Sequence, residues 1–417
     1  MFVVESPLGI NMIERKLYYF DNNATTRVAP EVVDAMIPFL RDFWGNPSSA
    51  YRFGAQVAGR VEEAREKVAA LIGAEPREVV FTSCGTESNN AALQSALATQ
   101  PGKRHILTTA VEHPAIINHC QWLRKQGVDV TFLPVDAGGL LDVRLLGQSI
   151  RPDTALVSVM WANNETGVVF PIGEIAALCR SRNVLFHTDA TQAPGRLKMD
   201  AAGADFLTLS AHKLHAPKGV GLLYVRRGAP FQPYLIGGHQ ERGKRGGTEN
   251  VAGIVAFGRA AELALARMDD ENTRVRGLRD RLENTILRSV PNTLRNGAKE
   301  PRLPNTSNIA FDFTEAEGIL MMLDELGICA SSGSACTTGS LKPSHVLTAM
   351  GVQPARAKGC VRFSLGCDNT DEDVDYLLTH IPGVIARLRE TAPDKPARTR
   401  PARHPAGRAP VLVAESA

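Results

Sequence analysis

From about residue 20 to about residue 265 the chain alternates short apolar runs with amphipathic stretches of helical period. No other property constrains its fold as tightly. Repeated strand–helix units build a mostly parallel sheet with helices packed on its faces. The runs at 78–82, 105–108, 128–132, 155–159, 184–187, 206–209 and 221–225 are the predicted strands. Between 55 and 72, Val57, Val61, Ala64, Val68 and Leu71 recur at helical spacing, which predicts a helix buried along one stripe. In such sheets ligands collect beyond the C-terminal ends of the strands, and the polar clusters of this chain fall at those ends.

A charged helix expected at 259–290 leads into a different pattern, with strands at 307–311 and 359–365 and helices near 319–326 and 371–389. The expected division is a large α/β domain over 20–265 and a smaller α+β domain from 1–19 and 266–390. Residues 391–417 mix Pro, Arg and Ala without periodicity and read as a disordered tail. A chain of 417 residues, 44% hydrophobic and 22% charged, can bury cores of this size. Its net charge of +3 owes part to that tail, and no basic stripe with interleaved aromatics suggests nucleic acid. Neither a basic-then-apolar leader nor an apolar stretch long enough for a bilayer is present, so a cytoplasmic protein without a membrane partner is expected. Seven cysteines without a Cys-x-x-Cys pair argue against a disulfide framework and against an intrinsic zinc or iron–sulfur site.

Two features carry chemistry. Ser210-Ala211-His212-Lys213 follows a predicted strand and precedes Pro217-Lys218-Gly219-Val220-Gly221, and a lysine amine so placed can bind an aldehyde cofactor as a Schiff base. Cys336 lies in Ser332-Gly333-Ser334-Ala335-Cys336-Thr337-Thr338-Gly339, a composition suited to a loop that moves a nucleophilic thiol. The surrounding clusters supply partners. Asp189 ends a strand, where its carboxylate can pair with a pyridinium nitrogen or simply cap a helix. Thr82-Ser83-Cys84-Gly85-Thr86-Glu87-Ser88 joins a strand to a helix start, which favours a phosphate and also reads as an ordinary capping box. Ser210 and His212 can donate to the same phosphate. His113 can stack on a ring or relay a proton, and Asn163-Asn164 offers amides; each type is common in purely structural settings.

The ordered series Asp21-Asn22-Asn23-Ala24-Thr25-Thr26, Glu112-His113, Asn163-Asn164-Glu165, His187-Thr188-Asp189-Ala190-Thr191-Gln192, Ser210-Ala211-His212-Lys213, Gly247-Thr248-Glu249-Asn250 and Ser332-Gly333-Ser334-Ala335-Cys336 resembles the pyridoxal-phosphate (PLP) cysteine desulfurases. Met160-Trp161-Ala162-Asn163-Asn164-Glu165-Thr166-Gly167 and Gly238-His239-Gln240-Glu241-Arg242-Gly243 resemble the NifS type, which serves nitrogen fixation, more than the housekeeping IscS type.

The resemblance implies a fold-type-I homodimer with a mainly parallel seven-stranded sheet, in which Lys213 carries PLP and Asp189 pairs with the ring nitrogen. It implies that His113 stacks on the ring, that Asn164 and Gln192 lie on the phenolic-oxygen side, and that Gly85, Thr86, Ser210 and His212 hold the phosphate with Thr248 of a second copy. Arg362, with Asn164, would bind the carboxylate of L-cysteine, for which a guanidinium fork is suited. Cys336 would attack the substrate sulfur, carry it as a persulfide and serve as a transient iron–sulfur ligand with a scaffold protein that accepts the sulfur, with no intrinsic metal. His113 would act as an acid. Ala211 and Cys367-Asp368 depart from the family's commonest pattern, which expects Gly at the first position and a basic residue and an aromatic at the second. Other readings stay open: a housekeeping desulfurase, a selenocysteine lyase or aminotransferase that needs no Cys336, a non-enzymatic assembly scaffold, or a sulfur carrier that needs no lysine.

Overall fold

The computed structural model describes residues 16–332 and 343–391. The strand expectations for the first part of the chain are met within a residue or two at each end. In order come β1 (Tyr18–Tyr19), α1 (Pro30–Arg41), α2 (Arg52–Leu71), β2 (Val79–Thr82), α3 (Gly85–Ala98), β3 (His105–Thr109), α4 (Pro114–Lys125) and β4 (Asp129–Leu133). There follow α5 (Val143–Ser149), β5 (Thr154–Ser158), α6 (Ile172–Ser181), β6 (Leu185–Asp189), β7 (Phe206–Ser210), β8 (Gly221–Val225) and α7 (Val251–Ala266).

Seven strands form one sheet in the order β2-β8-β7-β6-β5-β3-β4. All neighbours are parallel except β8, which runs antiparallel to both β7 and β2. The reason is length: residues 211–220 leave too little chain for a crossover helix, so β8 must return in the opposite direction. Alternation along the strands then divides the core. Val79, Phe81, Leu207, Leu209 and Leu222 face a layer containing Val61, Val68 and Phe257 of α2 and α7. Val80, Phe206 and Leu223 face the opposite layer with Leu93, Ile116 and Leu123 of α3 and α4. A β-carbon on Gly258 would lie 2.7 Å from Ala64 Cα, so α7 packs on α2 by virtue of that glycine.

Beyond α7 the single helix expected at 259–290 is broken. It becomes α8 (Met268–Asp270), a π-helical turn at Glu271–Val275, and α9 (Arg276–Ser289). The remaining elements are β9 (Thr293–Arg295), β10 (Thr306–Phe311), α10 (Ala316–Asp324), β11 (Ile328–Cys329), α11 (His345–Ala349), α12 (Pro354–Ala357), β12 (Cys360–Ser364) and α13 (Asp371–Thr391). An antiparallel sheet, β12-β10-β9, shares a core of Leu282, Ile286, Ile319, Leu323, Leu377 and Ile381 with α9, α10 and α13. Strand β1 pairs with β11 in a separate two-stranded sheet, Phe20 N–H donates to the Cys329 carbonyl at 2.8 Å, and Ser364 N–H of β12 donates to the Phe20 carbonyl at 2.7 Å, so the first described residues are sewn to this second region. Helix α13 continues to Thr391, one residue into the expected tail; the rest of that tail lies outside the described residues. No helix among the described residues is long and apolar enough to cross a membrane.

Candidate active site

The C-terminal ends of β2, β3, β5, β6 and β7 open onto one cavity of about 360 Å³, within the range typical of small-molecule sites, roughly 300–1,000 Å³. Gly85, Thr86, His113, Asn164, Asp189, Gln192, Ser210, His212, Lys213 and Arg362 all line it. Of the residues singled out from sequence, Thr248 does not; it is exposed, three residues before α7. Cys336 lies outside the described residues.

Lys213 sits in a short 3₁₀ turn directly after β7. Its Nζ donates to the Asn23 carbonyl at 2.5 Å and to the Ala24 carbonyl at 2.7 Å, so the loop after β1 holds the amine at the cavity. The return of the chain to β8 depends on two glycines. Gly219 has φ +86, and a β-carbon on Gly221 would lie 2.7 Å from the Cys84 carbonyl carbon, closing the approach of β8 to the start of α3.

Asp189, at the end of β6, is 6% exposed. Its Oδ2 accepts from Asn89 Nδ2 at 2.7 Å and its Oδ1 from Thr191 N–H at 3.0 Å. No helix follows for it to cap, and these two donors hold the carboxylate at the cavity wall. His187, two residues earlier, lies within the sheet between the Ser158 and Thr208 hydroxyls, and burial pushes it down to about 4, so it is a neutral core histidine.

Helix α3 begins at the cavity with Cys84 as N-cap and no side-chain hydrogen bond to its first amides. Glu87 instead reaches back to the Ser83 amide and hydroxyl and to Arg245. The first N–H groups of α3 therefore remain available to an anion, as a helix N-terminus favours. Beside them, His212 Nδ1 meets the Thr25 hydroxyl at 3.1 Å, and burial, aided by Lys213 and Lys218, pushes His212 down to about 4. It is neutral at pH 7.

His113 is the N-cap of α4. Its Nδ1 accepts from Ala115 N–H at 3.1 Å, which fixes the neutral tautomer with hydrogen on Nε2. Burial lowers its basicity as well, so the ring enters the cavity uncharged.

Arg362, on β12, is 2% exposed. Its Nη1 donates to the Asn164 carbonyl at 3.0 Å and its Nη2 to Asp21 Oδ1 at 2.6 Å, while Nε has no partner among the described residues. A buried donor without an acceptor is costly, about 1–3 kcal/mol, and this one belongs to a side chain on the cavity wall. Gln192 is more committed than expected: its Nε2 donates to the Asn23 carbonyl and its Oε1 accepts from Arg196.

Sequence reasoning missed several supports. Asn23 presents a carbonyl to both Lys213 and Gln192, and its side chain bridges the Asn164 carbonyl and the Thr306 hydroxyl. Asn89 orients Asp189, and Asp21 pairs with Arg362. The one available signal was the polar run Asp21-Asn22-Asn23 at the end of a strand.

The model of the family described as aminotransferase class-V matches residues 18–377. A cysteine desulfurase of Trichormus azollae is 54% identical over 379 residues, covering 90% of this chain and 95% of its own length. The cysteine desulfurase NifS of Azotobacter vinelandii is 52% identical over 378 residues, covering 90% and 94%. A solved NifS-like protein superposes with a TM-score of 0.84 at 38% identity, covering 89% of this chain and 100% of that one. On this evidence the chain belongs to the class-V aminotransferase family, in its NifS-type cysteine desulfurase branch.

Proposed function

We propose that this enzyme is a PLP-dependent cysteine desulfurase that converts L-cysteine to L-alanine and delivers the sulfur to iron–sulfur cluster assembly, in the service of nitrogenase maturation. The observation that carries this reading is Lys213 Nζ at the cavity that also holds the buried Asp189 carboxylate and the uncapped start of α3. The donor set fits the cofactor: an amine for its aldehyde, a carboxylate for its ring nitrogen, and amides of Gly85 and Thr86 with Ser210 and His212 for its phosphate. When bound, PLP supplies an electrophilic aldehyde and an electron-accepting ring.

The chain's own groups divide the remaining work. The Lys213 amine, once released by substrate, takes the proton from the substrate α-carbon. Asp189 would pair with the ring nitrogen of the cofactor, and His113 would lie against its ring and act as an acid only after taking up a proton from the substrate ammonium or thiol. Arg362, with Asn164 beside it, receives the substrate carboxylate, which supplies the acceptor that Nε lacks. The Cys336 thiolate attacks the substrate sulfur: a sulfur–sulfur bond forms, the carbon–sulfur bond breaks, and its electron pair and a proton end on the carbon of alanine. Cysteine plus one enzyme thiol thus gives alanine plus one enzyme persulfide. The persulfide then passes to a scaffold protein, where Cys336 serves as a transient iron–sulfur ligand.

Thr248 is read as serving a second copy, in a homodimer; exposed Leu235 and Ile236, earlier in the same loop-rich stretch, supply apolar surface for such a contact. Residues 20–265 are read as the cofactor-binding domain, with 1–19 and 266–390 as the second. All six described cysteines are free, in keeping with a cytoplasmic location.

Two variants test the reading. Lys213→Ala should fold, lose the yellow cofactor absorption and make no alanine. Cys336→Ala should keep the absorption and change it on addition of L-cysteine, yet release essentially no alanine. A Lys213→Ala protein that kept both properties, or sustained alanine release by Cys336→Ala, would overturn it.

A further inference from the structure

Lys213 also lines a second, water-sized cavity of about 30 Å³, together with His215, Cys367, Glu271, Arg196 and Arg267. Three chemistries meet at it. Cys367 Sγ is 3.5 Å from His215 Nε2, and the ligand atoms of His215, Cys367 and Asp368 all lie within 4.8 Å of one another. We propose that His215, Cys367 and Asp368 form a binding site for a zinc-type divalent cation, with Glu271 on the wall of the adjoining cavity.

Orientation supports the assignment. His215 Nδ1 lies 3.0 Å from the Arg27 carbonyl, an acceptor only, so the ring hydrogen is on Nδ1 and the Nε2 lone pair points at Cys367. That is the arrangement by which a backbone carbonyl fixes a metal-ligating imidazole. Glu271 gives the independent observation. It is 8% exposed, lines the same cavity, and its Oε2 has no hydrogen-bond partner among the described residues.

Geometry and charge are compatible with the ion. Tetrahedral ligands at about 2.0–2.3 Å from zinc stand roughly 3.5 Å apart, so Asp368, whose side chain is exposed, has to close by only about an ångström. Binding displaces the thiol proton of Cys367 to solvent and leaves a sulfur–metal bond. A thiolate and two carboxylates overbalance a divalent ion by one negative charge, and guanidinium groups offset it. Arg267 Nη1 is 3.7 Å from Cys367 Sγ, and Arg196 lines the cavity.

The ligands come from separate places, His215 two residues past Lys213 and Cys367 and Asp368 after β12, with Glu271 nearby in the π-helical turn. A bound ion would staple the lysine turn to the second sheet. No Cys-x-x-Cys spacing announces such a site, since its parts meet only on folding. The site stands independently of the proposed desulfurase chemistry.

The test uses holoenzyme carrying Cys336→Ala, which removes the other candidate thiol. After washing with chelator, added Zn²⁺ should bind at one ion per chain by elemental analysis and raise the unfolding temperature. Co²⁺ should give tetrahedral ligand-field bands in the red, clear of the cofactor absorption. Adding Cys367→Ser or Asp368→Asn should weaken Zn²⁺ binding by roughly tenfold or more. Failure of the parent to bind, or unchanged affinity in either variant, would overturn the site. Should Cys367→Ser not fold, Asp368→Asn at an exposed side chain decides alone.

Discussion

Two of the buried arginines that sit in ion pairs, Arg65 and Arg362, differ in what is left over. Arg65, on α2, donates from Nη1 and Nη2 to Glu241 at 2.6 and 2.9 Å, from Nη1 also to the Val79 carbonyl, and from Nε to Glu62. Glu241 in turn accepts from the Phe81 amide. Each charge is matched inside the fold. Arg362 is as deeply buried and also holds a carboxylate, Asp21, yet its Nε is unpartnered and its side chain borders the cavity. The first arrangement is complete without a ligand. The second leaves a donor without an acceptor at the cavity wall. Burial and ion pairing alone therefore do not separate a structural arginine from a binding one, and neither does a spare Nε, which buried Arg302 in its pair with Glu283 also has; what sets Arg362 apart is that its spare donor belongs to a side chain on the cavity wall.

That distinction can be broken by mutation, and the largest effect is expected at the closed pair. Glu241→Ala leaves Arg65 buried without a counter-charge, a change that costs about 3–5 kcal/mol. Denaturant unfolding should record that loss, while the turnover per folded molecule stays close to that of the parent. A loss below about 1 kcal/mol, at the level of exposed pairs, would mean that Arg65 relaxes toward water or Glu62 and that the pair is not closed.

Arg362→Lys keeps a charge and removes the fork. If the unpartnered donor serves substrate, KM for L-cysteine should rise by roughly tenfold to a hundredfold, the equivalent of about 1.5–3 kcal/mol for a hydrogen bond to a charged group, with kcat less affected. An unchanged KM with lowered thermal stability would put Arg362 in the same class as Arg65.

What the sequence revealed follows the same line. Lys213 and Asp189 were legible because strand periodicity placed both at strand ends, and only side-chain chemistry had to be read there. The carbonyls of Asn23 and Ala24 that receive Lys213 were not, since backbone acceptors leave no signature in residue type. The Arg65–Glu241 pair joins positions 176 apart, with Glu241 at φ +50, a conformation no sequence pattern assigned to a glutamate. The break of the helix expected at 259–290 was equally hidden, because the π-helical turn keeps an amphipathic pattern while Glu271 turns inward. Side-chain types thus announced the cavity, whereas the partners that fix its geometry depended on tertiary contacts.

The smallest expected effect concerns a carboxyl intermediate between the two arginine cases. Glu112, next to His113, is fully buried; its Oε1 accepts from the Thr109 hydroxyl and the Met160 amide, and its Oε2 has no partner among the described residues. With no cation among the described residues paired to it, burial pushes it up to about 8 from an ordinary 4.5. The folded chain thus keeps this proton up to about pH 8, whereas an unfolded chain gives it up near 4.5, and folding takes up a proton in between. The stabilisation present below pH 4.5 is therefore lost as pH rises toward 8, by at most about 1.4 kcal/mol per pH unit. Glutamine can keep the acceptor of Oε1 and carries no titratable proton. Relative to wild type, Glu112→Gln should gain stability steadily between pH 6 and pH 8 in paired denaturant titrations. Parallel profiles across that range would mean that Glu112 is ionised in the fold, and that a cation or water compensates it as completely as Arg65 does Glu241.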